Sequence, residues 1–477
     1  MVSSRLSDYY GRMQQTKTPV WRSLKEAVRG SRQDFTEVPI GHAVLLLAVP
    51  MVLETCMESI FAVVDIFFVS RLGSAAMATV GLTEAMLTLL YALAIGLSMG
   101  AAAVVARRIG EKQPEQAALA AFQAILLGLF IAAPLGLAGG LFAHRLLALM
   151  GAAPDVIAHG SVYTSIMFGG NVTILLLFLI NAIFRGAGDA AIAMRVLWFA
   201  NAINIVLGPC LIFGLGPFPK LGVAGAATAT TIGRGLGVLF QLTQLFRTKS
   251  RIRITRRQMR FDPAVMFTIF RISGTGIVQS LVGMTSWIAL IRLLSGFGSA
   301  PVAGYTVGIR LIMFALLPSW GMSNAAATLV GQNLGAGKPD RAEQSVWITC
   351  RYNLFFLGCV GMIFFLFAER FLSLFTSDPS ILPYGVASLR IISLGFPFYA
   401  YGMVFTQAFN GAGDTKTPTY INLFCFWLWE IPIAYMLSKH FEWGPEGVFS
   451  AIMIAFSTLA IISAILFKKG RWKLQKV

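Results

Sequence analysis

Long apolar runs alternate with short polar breaks along almost the whole chain. A helix that crosses a bilayer needs about 20 mostly apolar residues. Twelve runs meet that measure, at approximately 42–70, 76–107, 117–142, 156–185, 190–214, 222–246, 263–295, 301–333, 343–368, 381–409, 418–438 and 446–467. Several contain Pro or Gly, which membrane helices tolerate where neighbours satisfy the freed backbone groups. The pattern predicts an all-α polytopic membrane protein with twelve transmembrane helices. Polar segments frame it: a tail at 1–41, a basic linker at 247–262 and a second tail at 468–477.

The runs repeat. "FRGAGD" at 184–189 returns as "FNGAGD" at 409–414, an offset of 225 residues. The same offset relates Gly73-Ser74 to Gly298-Ser299, Gly110 to Gly335 and Pro114 to Pro339. Four landmarks in one register describe a duplicated six-helix unit, with halves at 42–246 and 263–467. An even number of helices per unit gives both halves the same orientation, related by a pseudo-two-fold along the membrane normal. Carriers built this way place their cavity at the interface of the halves and rock them to alternate access.

Composition supports the membrane reading: of 477 residues, 56% are hydrophobic and 12% charged. A net charge of +17 would suit a nucleic-acid binder, but it is concentrated in the tails and short breaks. With the N-terminus inside, Arg107, Arg108, Lys112, Arg185, Arg195, Lys338, Arg341, the linker "RTKSRIRITRRQMR" and the C-terminal Lys/Arg cluster all fall on the cytosolic side, so both termini are expected there. The cell (inner) membrane is the expected location. The five cysteines fall inside spans, without disulfide or metal-ligand spacing. There is no GxxxxGKS/T sequence, so the energy source is expected to be an ion gradient rather than a nucleotide or other cofactor.

The residues resemble the multidrug and toxic compound extrusion (MATE) transporters. The likeness rests on "PMVLETCMESIFAVVDIFFVSRLG" at 50–73, "FRGAGD" followed by "NAINIVLGP" and "IFGLGPFPKLGVAGAATAT", and, in the second half, "GIRLIMFALLPSWGMSNAAATLVGQNLGAGKPDRA" followed by "FNGAGDTKTPT". It implies two six-helix bundles forming a V-shaped cavity. It also implies a secondary antiporter that exports organic, often cationic, compounds in exchange for protons or sodium ions. The closer likeness is to the DinF-like branch, because no Asp or Glu occurs between Ala264 and Val330 or between Ile391 and Asn410, where other branches carry coupling acids.

Candidate chemistry centres on three acids in the first run. At about 100° per residue, Glu58 lies roughly 40° and Asp65 about 20° around the axis from Glu54, so the three share one face. A charge at mid-membrane costs at least ~2.5–3.5 kcal/mol, which turns that face toward the bundle or a wet cavity. Protons on such a cluster belong to the set rather than to single residues. By the resemblance, Asp65, Asn181, Asn204 and Thr230 occupy N-lobe ion-site positions, although asparagines in membrane helices more often join helices. Gly208 stands where such proteins commonly have an Asp four residues after Asn204. Glu54 or Glu58 either replaces that charge at a sodium site near Asp65 and Asn204, or extends a proton path, or only binds a neighbouring helix; protons are the favoured coupling ion.

Glu430, with Phe426 and Trp429 beside it, is the clearest acid of the second half, and together with Asn201 and Gln279 it completes the candidate substrate cavity. Glu84 is either interfacial or functional, and Arg310 is read as closing a hydrogen-bond network. A small organic substrate, membrane lipids, no nucleic acid and a monomeric state are expected. The main alternative is a flippase for a lipid or lipid-linked saccharide, which basic residues inside the lobes would favour. No nucleophile, base and oxyanion constellation supports an enzyme.

Overall fold

The computed structural model describes residues 20–247, 250–376 and 378–477, and among them there is no strand. A short helix α1 (Val20–Arg29) precedes the spans α2 (Ile40–Ser70), α3 (Ser74–Gly110) and α4 (Pro114–Leu141). After the short α5 (Ala143–Leu149), the first half is completed by α6 (Pro154–Gly169), α7 (Asn171–Ala187), α8 (Ala190–Phe213) and α9 (Val223–Phe246). The second half holds α10 (Pro263–Ser295), α11 (Ser299–Gly335), α12 (Pro339–Ser373), α13 (Leu382–Leu394), α14 (Phe396–Gly411), α15 (Lys416–His440) and α16 (Pro445–Lys468). Among the described residues eleven helices are long and apolar enough to span a bilayer, counting α6 with α7, and the bent pair α13–α14 makes the twelfth.

The helix starts follow from local chemistry. Pro begins α4, α6, α10, α12 and α16, where a missing N–H costs nothing. The Asp262 side chain caps α10 by accepting from the backbone N–H groups of Ala264 and Val265. The duplication is visible in the backbone: Gly188 and Gly413 of the two "GAGD" turns have φ of 88° and 84°. The breaks repeat as well. Gly170 separates α6 from α7, and its equivalent Gly395 separates α13 from α14 at an angle of 58°. Within α15 the helix is underwound over Leu423–Glu430 and Met436–His440.

The halves cross over one another: α2 packs on α11, and α3 packs on both α10 and α11. Backbones come closest where equivalent glycines meet. A Cβ at Gly186 would strike the backbone of Ala102, and a Cβ at Gly411 would strike the backbone of the equivalent Ala327. Gly110 and Gly335 abut the other half's chain at Gln332 and Arg107 in the same way.

The end of the molecule that carries the "GAGD" turns is closed by the segment at 31–38, before the first span, and by residues 475–477. Arg251 donates to the carbonyls of Ser31 (2.9 Å) and Gln33 (2.7 Å), and Asp34 pairs with Lys112. From the second half, Lys338 donates to the Thr36 carbonyl (3.1 Å) and pairs with Glu37, while Arg341 donates to the carbonyls of Phe35 (3.2 Å) and Val38. Arg107 in turn reaches the carbonyls of Ala412 (3.2 Å) and Gln475 (3.1 Å), and Arg108 that of Val477 (3.1 Å). The basic linker is docked too, with Ile252 and Ile254 buried in the core of the first half.

Candidate functional site

A cavity lies between the two halves. Glu54 and Glu58 of α2 and Asn181 and Arg185 of α7 face Trp320 and Asn324 of α11, with Gln407 and Asn410 of α14 completing the wall. Glu54 is 4% exposed, and its Oε1 accepts from Arg185 Nη1 at 2.7 Å and from Asn181 Nδ2 at 3.1 Å. Gln241 of α9 steadies the arrangement by donating to Asn181 Oδ1 at 2.7 Å. A buried ion pair survives desolvation only with such additional hydrogen bonds. Glu54 Oε2 nevertheless has no partner among the described residues.

The same turn of α7 is held by the second half. Thr328 donates to the Arg185 carbonyl (3.0 Å) and Gln332 to the Gly186 carbonyl (2.9 Å). The acid of α2 therefore meets, through one arginine, the seam where the two bundles touch. Arg185 reads in sequence as a charge at a helix end; the structure turns it inward because Glu54 lies within reach.

A second polar region occupies the interior of the first half. Asp65 and Glu58 are partly exposed and make no hydrogen bond or ion pair among the described residues, and Glu84 is exposed. Arg234 of α9 lies within electrostatic reach of all three acids. Its only side-chain hydrogen bond among the described residues is from Nη2 to the Tyr91 hydroxyl at 3.1 Å; Nη1 is shielded from solvent and has no partner among them. Asn204 donates to Thr230 Oγ1 at 2.8 Å, and the buried Asn201 has a partnerless Nδ2. Asn181 thus joins Glu54 and Arg185, Asn204 joins Thr230, and Asp65 faces the field of Arg234.

The acids of the first run separate accordingly. Glu54 and Glu58 line the cavity between the halves, whereas Asp65, two to three turns further along α2, does not. Among the described residues no group of three or more His, Cys, Asp or Glu is placed to hold a metal ion.

In the second half Glu430 is 2% exposed, on the underwound stretch of α15, with Tyr305, Tyr399 and Cys425 within its electrostatic reach. It makes no ion pair among the described residues. Phe426 packs on Phe456 with ring centroids 5.0 Å apart, Trp429 donates to Thr458 at 3.1 Å, and Gln279 is buried with a partnerless Oε1. The lining of the cavity between the halves includes none of Asn201, Gln279, Phe426, Trp429 or Glu430. Asn201, Gln279, Phe426 and Glu430 are buried outside that lining, and Trp429 is exposed. Arg310 is exposed, without a hydrogen bond or ion pair among the described residues.

Sequence reasoning missed Arg234, a single basic residue in the run "TIGRGLGV", and missed Trp320, Asn324, Gln407 and Asn410. Asn410 did carry a signal, since it fills the position of Arg185 in the second copy of the repeat.

Comparison with known proteins places this architecture. The MatE family model matches residues 50–210 and 272–436. A probable multidrug resistance protein NorM of Thermotoga maritima is 26% identical over 445 residues, covering 92% of this chain and 95% of its own. An FAD transporter of Shewanella oneidensis is 26% identical over 428 residues, covering 89% and 93%. A multidrug resistance MATE family transporter in an outward-facing conformation superposes with a TM-score of 0.85 at 25% identity, over 92% of this chain and 96% of that one. With the match spanning both halves, the twelve helices in two V-arranged bundles have one explanation: the chain belongs to the MATE family of membrane transporters.

Proposed function

We propose that this protein is a secondary antiporter exporting small organic compounds that carry a cationic group, driven by protons returning through the first half. The observation that carries the proposal is the Glu54–Arg185 pair, which opens on the shared cavity and contacts the seam between the bundles. A carboxylate there has two states. Ionised, it holds Arg185; protonated, it releases the guanidinium beside the Thr328 and Gln332 contacts and biases the packing of one bundle on the other. A proton and a cationic substrate compete for the same acids, which is the minimum requirement of exchange. The relatives named as multidrug exporters support this reading.

Positive residues at the closed end orient it toward the cytosol, with both termini inside and the protein in the cell membrane. The domain limits 42–246 and 263–467 then correspond to the two moving bodies of a monomer. Sodium coupling is the lesser reading, because Gly208 leaves the fifth span without its carboxylate. The flippase reading draws on Arg185 and Arg234, two basic residues inside the first half. They are outnumbered by Glu54, Glu58, Asp65 and Glu84, so the interior retains an excess of acid and export of cations is favoured.

The test uses the full chain in everted vesicles. Substrate-driven proton release is expected in the wild type and is expected to be lost in Glu58→Gln with Asp65→Asn. Unchanged release in the double variant refutes proton coupling through these acids, and a requirement for sodium over choline assigns the coupling to sodium.

A further inference from the structure

We propose that Arg234 is an anion-binding arm in the interior of the first half, and that the preferred substrates are amphoteric, with an anionic group for Arg234 and a cationic group for the acids around it. The proposal rests on the export reading above and narrows its substrate class.

Four observations carry it. Arg234 lies in an apolar span, where a guanidinium is costly without a compensating anion. It has no carboxylate within ion-pair distance among the described residues, unlike Arg185, which is satisfied by Glu54 at 2.7 Å. Its single side-chain hydrogen bond among the described residues goes to the Tyr91 hydroxyl at 3.1 Å, and Nη1 has no partner among them. The carboxylates that feel its charge, on Glu58, Asp65 and Glu84, are themselves without hydrogen-bond or ion-pair partners among the described residues, and these residues are at least partly exposed.

One guanidinium and several carboxylates therefore lie within reach of one another's charge and do not touch. Had the arginine only to neutralise these acids, direct contact would be the lowest-energy arrangement. A guest that presents both signs would satisfy the arginine and the acids together. A planar guanidinium with donors to spare takes a carboxylate or phosphate oxygen pair in a forked geometry. Tyr91 holds the guanidinium from one side, and its ring in turn packs edge-on against Phe178, a wall residue of the cavity between the halves, with centroids 5.8 Å apart. A guest moving from that cavity toward Arg234 would pass this aromatic pair, whose faces suit flat organic cations.

The experiment compares two probes of one skeleton in proteoliposomes with an imposed pH gradient: a xanthene dye with a free carboxylate, a zwitterion, and its ethyl ester, a permanent cation. Transport of the ester by the wild type checks the export reading on its own. The wild type is expected to prefer the zwitterion. Arg234→Gln is expected to lower the ratio of zwitterion to ester transport about tenfold, the scale of one lost charge-assisted contact, and Arg234→Lys to recover part of it. A wild type that carries the ester but not the zwitterion overturns the inference and leaves export intact. An equal fall of both dyes in Arg234→Gln overturns it too, and assigns Arg234 to the coupling acids. Should Arg234→Gln fail to fold, Arg234→Lys and competition between the two dyes on the wild type give the same ratio, and an unchanged ratio with equal competition has the same force.

Discussion

Arg185 and Arg234 are both arginines inside the first bundle, yet only one is neutralised in place. Removing Arg185 would leave Glu54 as an uncompensated buried charge. Arg185→Ala is expected to cost about 3–5 kcal/mol, seen as a lowered midpoint of thermal unfolding in detergent micelles. Glu54→Gln should cost less, because an amide oxygen still accepts from Asn181. Midpoints equal to the wild type's in both variants would show that the pair contributes nothing to stability. Spacing in the first run was enough to single out Glu54, Glu58 and Asp65, since charges in apolar runs are conspicuous. Their partners were not legible. Arg185 looks like a charge at a helix end, and its inward course depends on a contact across 131 positions of chain. Arg234 has no acid within a helical turn of it to mark it as anything but an isolated charge.

Helices were the most readable objects, because each span is a long apolar run and the register of 225 fixes equivalent landmarks. The breaks at Gly170 and Gly395 were not foreseen, since glycines are frequent in such runs and only packing decides which one bends. The underwound part of α15 was hidden for the same reason: nothing in "LFCFWLWE" encodes it locally. Packing also sorts the glycines by consequence. Gly411→Ala forces a methyl against the backbone of Ala327, an overpacking that typically costs about 1–3 kcal/mol. Gly283→Ala meets nothing within 4 Å and is expected to gain about 0.4–1 kcal/mol by restricting the unfolded chain. Thermal midpoints of opposite sign relative to wild type check the pair, and two shifts of the same sign contradict the packing seen at Gly411.

Across the whole molecule, the segment at 31–38 fastens one end by contacts to both halves. Asp34 at its centre is partly withdrawn from water, which alone would raise its carboxyl. Hydrogen bonds from Lys112 and Thr36 outweigh that and hold it down at about 2. A depressed carboxyl contributes stability above its ordinary value of 3.8, and that contribution is lost only as pH falls toward 2. Amide exchange of this segment, corrected for intrinsic rate, should therefore be the same at pH 7 and pH 5. Faster exchange at pH 5 would show that the fastening itself responds to protons in the working range. If exchange is unchanged, the pH response of transport belongs to the acids of the interior.

The segments flanking the spans are crossed over as the bundles are. Residues just before the first span grip Lys338 and Arg341 of the second half, and the last residues grip Arg107 and Arg108 of the first. The covalent connection between α9 and α10 is thus one of several ties rather than the only one. A protease nick within the linker should leave two pieces that purify together and still bind substrate, so the transporter would remain one body after becoming two chains.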